Sequence, residues 1–328
     1  QSSMKKVLLI GGMGFIGHNL FLHLNNLGYD VKIADSLKIN NLESPSKKSE
    51  IQLKILEERV KLLKKFRIEN NKIDANDKDN LEKLVKEYKP DIVVHLGAVS
   101  HAKESNLNPH VTFKNNLSSI ETTLELIKKT KVHYIFFSSS MVYGDFITPV
   151  VDEESACKPI GIYGTYKYSA ELMIKAYSKI YDLKYSIIRP SALYGERCIS
   201  RRVSQIFIEN AINNEPIKID GDGEEKLDFT YIKDLCDGVE KIISNKNSIN
   251  QTFNLTFGNA RKIIELVDIL KDYFKNIEIQ FKKRDKLMPF RGTLSNLKAK
   301  NLINFDPKFN IEDGYSRYIK WYKDFYSN

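Results

Sequence analysis

Tyr163 and Lys167 stand four residues apart in Tyr163-Gly164-Thr165-Tyr166-Lys167, where a helical pattern begins, so a helix there brings both side chains onto one face. Their chemistry is complementary. A phenol ionises near pH 10, but an ammonium held beside it favours the phenolate, which can then take a proton from a hydroxyl at neutral pH. The lysine can also hold a ribose. Upstream, Phe136-Phe137-Ser138-Ser139-Ser140-Met141-Val142-Tyr143-Gly144 ends an apolar run in hydroxyls, and a serine presented there can donate to a substrate oxygen and orient it. Tyr143 and Tyr166 are rival phenols, so spacing alone leaves the base open.

The start of the chain offers, independently, a seat for a dinucleotide. Val7-Leu8-Leu9-Ile10 runs directly into Gly11-Gly12-Met13-Gly14-Phe15-Ile16-Gly17 and then into a helical pattern, which reads as strand, phosphate loop and helix. Gly11 suits a tight turn, Gly14 a close approach to a pyrophosphate, and Gly17 close packing of helix on strand. The unpaired amides that open the helix, around Phe15 and Ile16, suit an anion. Asp35 closes the next apolar run, where a carboxylate can bind the adenosine ribose hydroxyls and repel a 2′-phosphate. NAD is therefore expected rather than NADP. Asp74, with Ala75 beside it, either reaches the adenine or serves as a turn residue before Asp77 caps a helix. Leu96, Gly97 and Ala98 end another buried run, and small residues there let a cofactor lie across the sheet edge. His95, inside that apolar run, reads as a core histidine.

Strand-like runs at Val7 to Ile10, Val31 to Ala34, Ile92 to Leu96, Tyr134 to Ser138 and Tyr185 to Ile188 alternate with helical patterns. That alternation predicts an α/β fold: a Rossmann-like doubly wound parallel sheet with a smaller α/β substrate-binding lobe. The first lobe is expected over 4–190, with 228–256 returning to it, and the second over 191–227 and 257–328. Ser46 to Phe66 reads as a surface helix that decorates the connection. Trp321 and the nearby tyrosines are expected to pack a terminal helix. The apolar stripes of Leu117 to Lys128 and of the helix after Tyr163 fit either a dimer interface or packing on the sheet.

With 328 residues, 42% of them hydrophobic, the chain can bury a sizeable core. Gln1-Ser2-Ser3 read as a remnant of an expression tag. The longest apolar runs are strand-sized, so no membrane span is expected. Cys157, Cys198 and Cys236 stand far apart without metal spacing, which fits reduced thiols in a cytoplasm and no metal site. The net charge of +9 is spread through amphipathic stretches without a recognition motif, arguing for solvated faces rather than nucleic acid.

These segments continue through Pro109 and Asn116, Arg189-Pro190-Ser191-Ala192-Leu193-Tyr194-Gly195, Gly221-Asp222-Gly223, Asp228-Phe229-Thr230-Tyr231-Ile232-Lys233-Asp234, Phe253-Asn254 and Arg291. Over nearly its whole length the chain resembles the extended short-chain dehydrogenase/reductases, in particular the NAD-dependent epimerase/dehydratase family of nucleotide-sugar enzymes. The resemblance implies Tyr163 as the base, Lys167 as its electrostatic partner, Ser139 as the substrate-orienting hydroxyl and Asn116 among the cofactor-binding residues. It also places Ser140 and Met141 beside a nucleotide-sugar substrate and implies a homodimer through a four-helix interface. The departures are informative. Ala192 stands where the family has an Asn, and Leu227 where it has an Arg that meets the substrate diphosphate. Arg291 is retained, and Arg197, Arg201 or Arg202 is expected to compensate.

Sugar 4,6-dehydratases of the family carry an acid and a base at the positions of Ser140 and Met141, and a methionine cannot move protons. What remains is oxidation at C4 to a 4-keto sugar, followed by reduction from the other face in a 4-epimerase or by release in a net 4-dehydrogenase. Family context favours UDP- or GDP-sugars, including a GDP-hexose or GDP-manno-heptose of bacterial surface polysaccharide. The competing expectation is a non-catalytic NAD-binding regulatory protein on the same fold, for which the altered diphosphate residues are the one argument.

Overall fold

The computed structural model describes residues 4–97 and 102–328. Near-continuous apolar runs become strands buried on both faces. β1 (Lys6–Ile10), β2 (Asp30–Ala34), β3 (Asn70–Asn71), β4 (Ile92–His95), β5 (His133–Phe137), β6 (Lys184–Arg189) and β7 (Gln251–Asn254) form one parallel sheet in the order 7-6-5-4-1-2-3. Alternation along β1 shows why both faces are covered: Val7 and Leu9 enter one core, Leu8 and Ile10 the other.

The helices are α1 (Phe15–Asn26), α2 (Glu50–Lys65), α3 (Lys78–Tyr88), α4 (Ala102–Leu107), α5 (Pro109–Phe113), α6 (Ser119–Ile127), α7 (Ile162–Tyr181), α8 (Val203–Ile212), α9 (Ile232–Ser244), α10 (Ile263–Leu270), α11 (Leu297–Ile303) and α12 (Ile311–Ser327). Residues of α1, α2 and α9 bury against one face of the sheet, and residues of α3, α6 and α7 against the other. Asp77 caps α3 by accepting from the Asn80 amide at 3.2 Å, as its position before the helical pattern predicts. None of these helices is long and apolar enough to cross a membrane.

The strand order reverses between β1 and β4, because β1 runs to β2 on one side while β4 lies on the other. A crevice opens at the carboxyl ends of such a pair, which is where a ligand is accommodated in an open α/β sheet. Beyond the sheet, short ladders pair Leu193–Tyr194 with Thr230–Tyr231, Ile217–Asp220 with Ile279–Lys282, and Lys226–Leu227 with Arg261–Lys262. α12 closes this side with aromatic packing: Trp321 stacks on Phe325, and Tyr315 and Tyr318 meet Tyr194.

α2 corrects the expectation of mere decoration. A Ser49–Gln52 capping box starts it, and it carries Arg59 into the interior, 1% exposed. The Arg59 guanidinium donates to the Met13 carbonyl at 3.2 Å and to the Arg197 carbonyl at 2.5 Å. Long-range backbone contacts of this sort leave no trace in helical periodicity, which reports only that one face is apolar. His95 is a core histidine, bonded through Nδ1 to the Tyr134 hydroxyl at 3.0 Å, and burial pushes it down to about 3.

Candidate active site

At the β1–β4 crevice the three glycines do different things. Gly11 has φ +83°, and a Cβ there would sit 2.4 Å from the Gly97 nitrogen, so the turn and the neighbouring strand end both demand glycine. A Cβ on Gly17 would lie 2.5 Å from the Gly12 Cα, which sets how closely α1 can approach the loop. Gly14 meets nothing closer than the Gly11 carbonyl at 3.4 Å; its open side faces the cavity and leaves a cradle against the free amides of α1. Residues outside the motif hold the loop still. His18 accepts from Arg197 Nε at 2.9 Å through Nε2, which leaves Nδ1–H to donate to the Gly14 carbonyl at 2.7 Å. Burial, with Arg59 and Arg197 nearby, holds that imidazole well below its ordinary pKa and therefore neutral.

The cavity along this loop is lined by Gly11, Gly14, Phe15, Ile16, Gly17, Asp35, Asp74, Ala75, Leu96 and Gly97. Ala98 lies outside the described residues. Asp35 accepts from the Met13 amide at 2.9 Å and the Leu37 amide at 2.8 Å; burial pushes its carboxyl up, and those amides pull it back. Asp74 does both things the sequence allowed, accepting from the Asn76 amide at 2.9 Å in a turn while lining the cavity. Asn116 is buried within a π-helical turn, Lys114–Ser118, whereas Asn115 and Ser119 face the cavity. The open Gly14 cradle, the helix amides and the Asp35 carboxylate fit a dinucleotide with an unmodified ribose. Asp35→Ala is expected to weaken NAD about tenfold or more and to narrow the preference over NADP, since a hydrogen bond from a sugar hydroxyl to a carboxylate contributes about 1.5–3 kcal/mol. Titration of both cofactors checks this, and an unchanged NAD/NADP ratio would place discrimination elsewhere.

A second cleft of about 390 Å³ adjoins the first, sharing Ile16, Leu96 and Arg202 with it. Ser139, Tyr163 and Lys167 meet there. Tyr163 lies in the first turn of α7 and Lys167 one turn on, as the spacing predicts. Ser139 caps the turn Ser140–Tyr143, accepting from the Met141 amide at 3.1 Å, and lines the cleft beside Tyr163. Burial raises the Tyr163 phenol, against which the charge of Arg202 and the Ser139 hydroxyl act to lower it. Lys167 donates to the Phe137 carbonyl at 2.7 Å, and burial lowers it to about 7 despite Glu171. The rival phenols are disposed of by position. Tyr143 is buried, donating to Asn254 Oδ1 at 2.7 Å and accepting from Arg189 at 3.1 Å, and Tyr166 packs edge-on against Phe113.

Sequence reasoning missed the pair that holds this arrangement together. Glu171, one turn beyond Lys167, accepts from Arg189 Nε at 3.1 Å and Nη2 at 2.6 Å and from the Ser138 hydroxyl at 2.5 Å. A bidentate buried pair thus ties α7 to β6 and to the serine turn. The available signal was the i, i+4, i+8 series Tyr163, Lys167 and Glu171.

The outer cleft is lined by Ser140, Met141, Ala192, Arg201, Leu227 and Arg291, among others. Ala192 adopts φ +41°, a region an asparagine tolerates better. Arg197 must be corrected: it does not face the cleft but turns to α1, donating to His18 and, at 2.9 Å, to Asn19 Oδ1. The segment kinks at Arg197 (φ +66°) and Arg201 (φ +54°), so the cations that reach the cleft are Arg201 and Arg202. The Nε atoms of Arg202 and Arg291 are buried without a hydrogen-bond partner among the described residues. Two half-buried arginines with unpartnered Nε atoms on one cleft suit an anionic ligand.

The model of the NAD dependent epimerase/dehydratase family matches residues 7–256. A putative UDP-glucose 4-epimerase of Methanocaldococcus jannaschii is 30% identical over 326 residues, covering 97% of this chain and 98% of that protein. A UDP-glucuronate 4-epimerase of Thermodesulfobacterium geofontis is 30% identical over 77% of this chain and 78% of its own length. Among solved structures, the UDP-glucuronic acid 4-epimerase of Bacillus cereus, in complex with UDP-glucuronic acid and NAD, superposes with a TM-score of 0.88 at 26% identity, covering 97% of this chain and 99% of that one.

Proposed function

The chain belongs to the NAD-dependent epimerase/dehydratase family, and on that premise we propose that it oxidises C4 of a nucleotide-linked sugar to a 4-keto sugar, acting as a 4-epimerase or a net 4-dehydrogenase. The observation that carries this reading is the meeting of Ser139, Tyr163 and, one helical turn on, Lys167 in a cleft adjoining the dinucleotide cavity. NAD, when bound, supplies the acceptor for the C4 hydrogen. Tyr163 takes the proton of the C4 hydroxyl, Ser139 orients that oxygen, and Lys167 together with Arg202 favours the phenolate. Arg201, Arg202 and Arg291 are suited to the diphosphate that Leu227 cannot bind.

Met141 argues against 4,6-dehydration, because that step needs an acid and a base beside the serine turn. The non-catalytic reading is set aside, since the relatives are enzymes and the base and its lysine are in place. A two-lobed division around the cleft and a homodimer belong to the same proposal. The dimer is supported by Leu107, Val111, Phe113 and Leu172, exposed apolar side chains on α4, α5 and α7, which pack together. A monomer by sedimentation would remove it.

Incubation with NAD and a panel of UDP-, GDP- and dTDP-sugars tests the reaction. A product of unchanged mass without net NADH means epimerisation. NADH with loss of two hydrogens means dehydrogenation. No reaction with any sugar, although NAD binds, would overturn the proposal.

A further inference from the structure

The phosphate loop is held from outside by a side chain that the glycine motif does not contain. Arg59 reaches it from the middle of α2, 1% exposed, and lines the dinucleotide cavity. Among the described residues its guanidinium bonds carbonyl oxygens and no carboxylate: Nη1 donates to Met13 at 3.2 Å, and Nε and Nη2 donate to Arg197 at 3.0 and 2.5 Å. A planar fork holds two such acceptors in fixed directions, which a rotating ammonium does not.

Both acceptors belong to residues that shape the cavity. The Met13 amide donates to Asp35 Oδ2 at 2.9 Å, while the Met13 carbonyl takes both Arg59 and, at 2.8 Å, Nδ2 of the buried Asn41. Asp35 Oδ1 takes the Leu37 amide at 2.8 Å. Each carboxylate oxygen is thus gripped by one amide and keeps a lone pair for a ribose diol. Arg197 turns its own side chain to His18 Nε2 at 2.9 Å, and His18 Nδ1 donates to the Gly14 carbonyl at 2.7 Å. One guanidinium therefore stands behind two successive loop carbonyls, Met13 directly and Gly14 through Arg197 and His18. A carbonyl bonded on the outside keeps its negative end away from a pyrophosphate and leaves the helix amides to meet it.

We infer that Arg59 is a positioning residue for NAD: by fixing the Met13 peptide it sets the Asp35 carboxylate on the adenosine ribose, and with it the preference for an unmodified 2′-hydroxyl. It acts through Asp35 and the loop, not as a ligand of the phosphates. The two roles have opposite signatures. A cation that met phosphate directly would favour NADP, which carries the extra phosphate, so its loss would widen the preference for NAD. A residue that aims Asp35 narrows that preference when it is lost.

The test is calorimetric titration of the full chain with NAD and with NADP, well below the melting temperature of each variant. In Arg59→Met, NAD is expected to weaken about tenfold with NADP little changed, so that the preference narrows by about as much. Arg59→Lys, which keeps the charge without the fork, should narrow it as well, and carries the test if the methionine variant does not fold. In an Asp35→Ala background neither substitution should move the ratio further, because the carboxylate being aimed is gone. A ratio that widens in Arg59→Met and returns in Arg59→Lys would overturn the inference and make Arg59 a phosphate ligand. An unchanged ratio with only the melting temperature lowered would overturn it too, and leave Arg59 as a brace of the fold. Binding alone is read, so a failure of the proposed sugar chemistry leaves the outcome untouched.

Discussion

Tyr163→Phe is expected to bind NAD like the wild type and to lose turnover by about 10²–10⁴-fold, the usual contribution of a positioned acid or base. The reason is local. The change removes one oxygen, on the cleft that Ser139 also lines, while the ring keeps its place in the first turn of α7. Neither Tyr143 nor Tyr166 can substitute, because the hydroxyl of Tyr143 is taken by Asn254 and Arg189 and the ring of Tyr166 lies against Phe113. Calorimetric titration with NAD and a steady-state assay on the reactive sugar decide the matter. Turnover within a few-fold of wild type would remove Tyr163 from the mechanism. A parallel collapse of NAD affinity would instead make its main role cofactor binding.

The second large effect is on stability. Glu171→Ala is expected to cost about 3–5 kcal/mol, because it strips a buried Arg189 of its carboxylate and leaves the guanidinium uncompensated. Glu171 is fully buried and Arg189 is 2% exposed, so water cannot take over without opening the packing of α7 on β6. At about 2–4 °C per kcal/mol, the melting temperature should fall by roughly 6–20 °C. Replacing both partners by methionine should recover much of the loss, since the penalty comes from the orphaned charge rather than from the missing attraction. Scanning calorimetry on the two single variants and the double variant forms the cycle. A loss under about 1 kcal/mol in Glu171→Ala would mean that the pair is not structurally important.

These two predictions differ in how far the sequence alone could have led to them. Tyr163 and Lys167 were legible because a helix converts a separation of four residues into a shared face, whatever the rest of the chain does. Glu171 extends that series, but its value depends on Arg189, which arrives from a strand on the far side of a turn. The expectation for Arg197 failed for a related reason. Four arginines lie along the chain near Gly195 and at position 291, and composition shows cations on that stretch. Which of them points into the cleft depends on left-handed backbone at Arg197 and Arg201, non-glycine residues whose types do not announce it.

The alternation that makes a parallel sheet, the glycine spacing, the acid after β2 and the Tyr163–Lys167 face are all legible in the chain of residues, because each rests on short-range periodicity or on the absence of a Cβ. It took the folded chain to show that α2 sends Arg59 to brace the glycine loop, that Asn115 lines the cavity while Asn116 is buried in its turn, and that Arg202 lines both cavities. Those facts depend on the direction in which a loop or turn leaves its element, and that direction is set by contacts between residues distant in the chain.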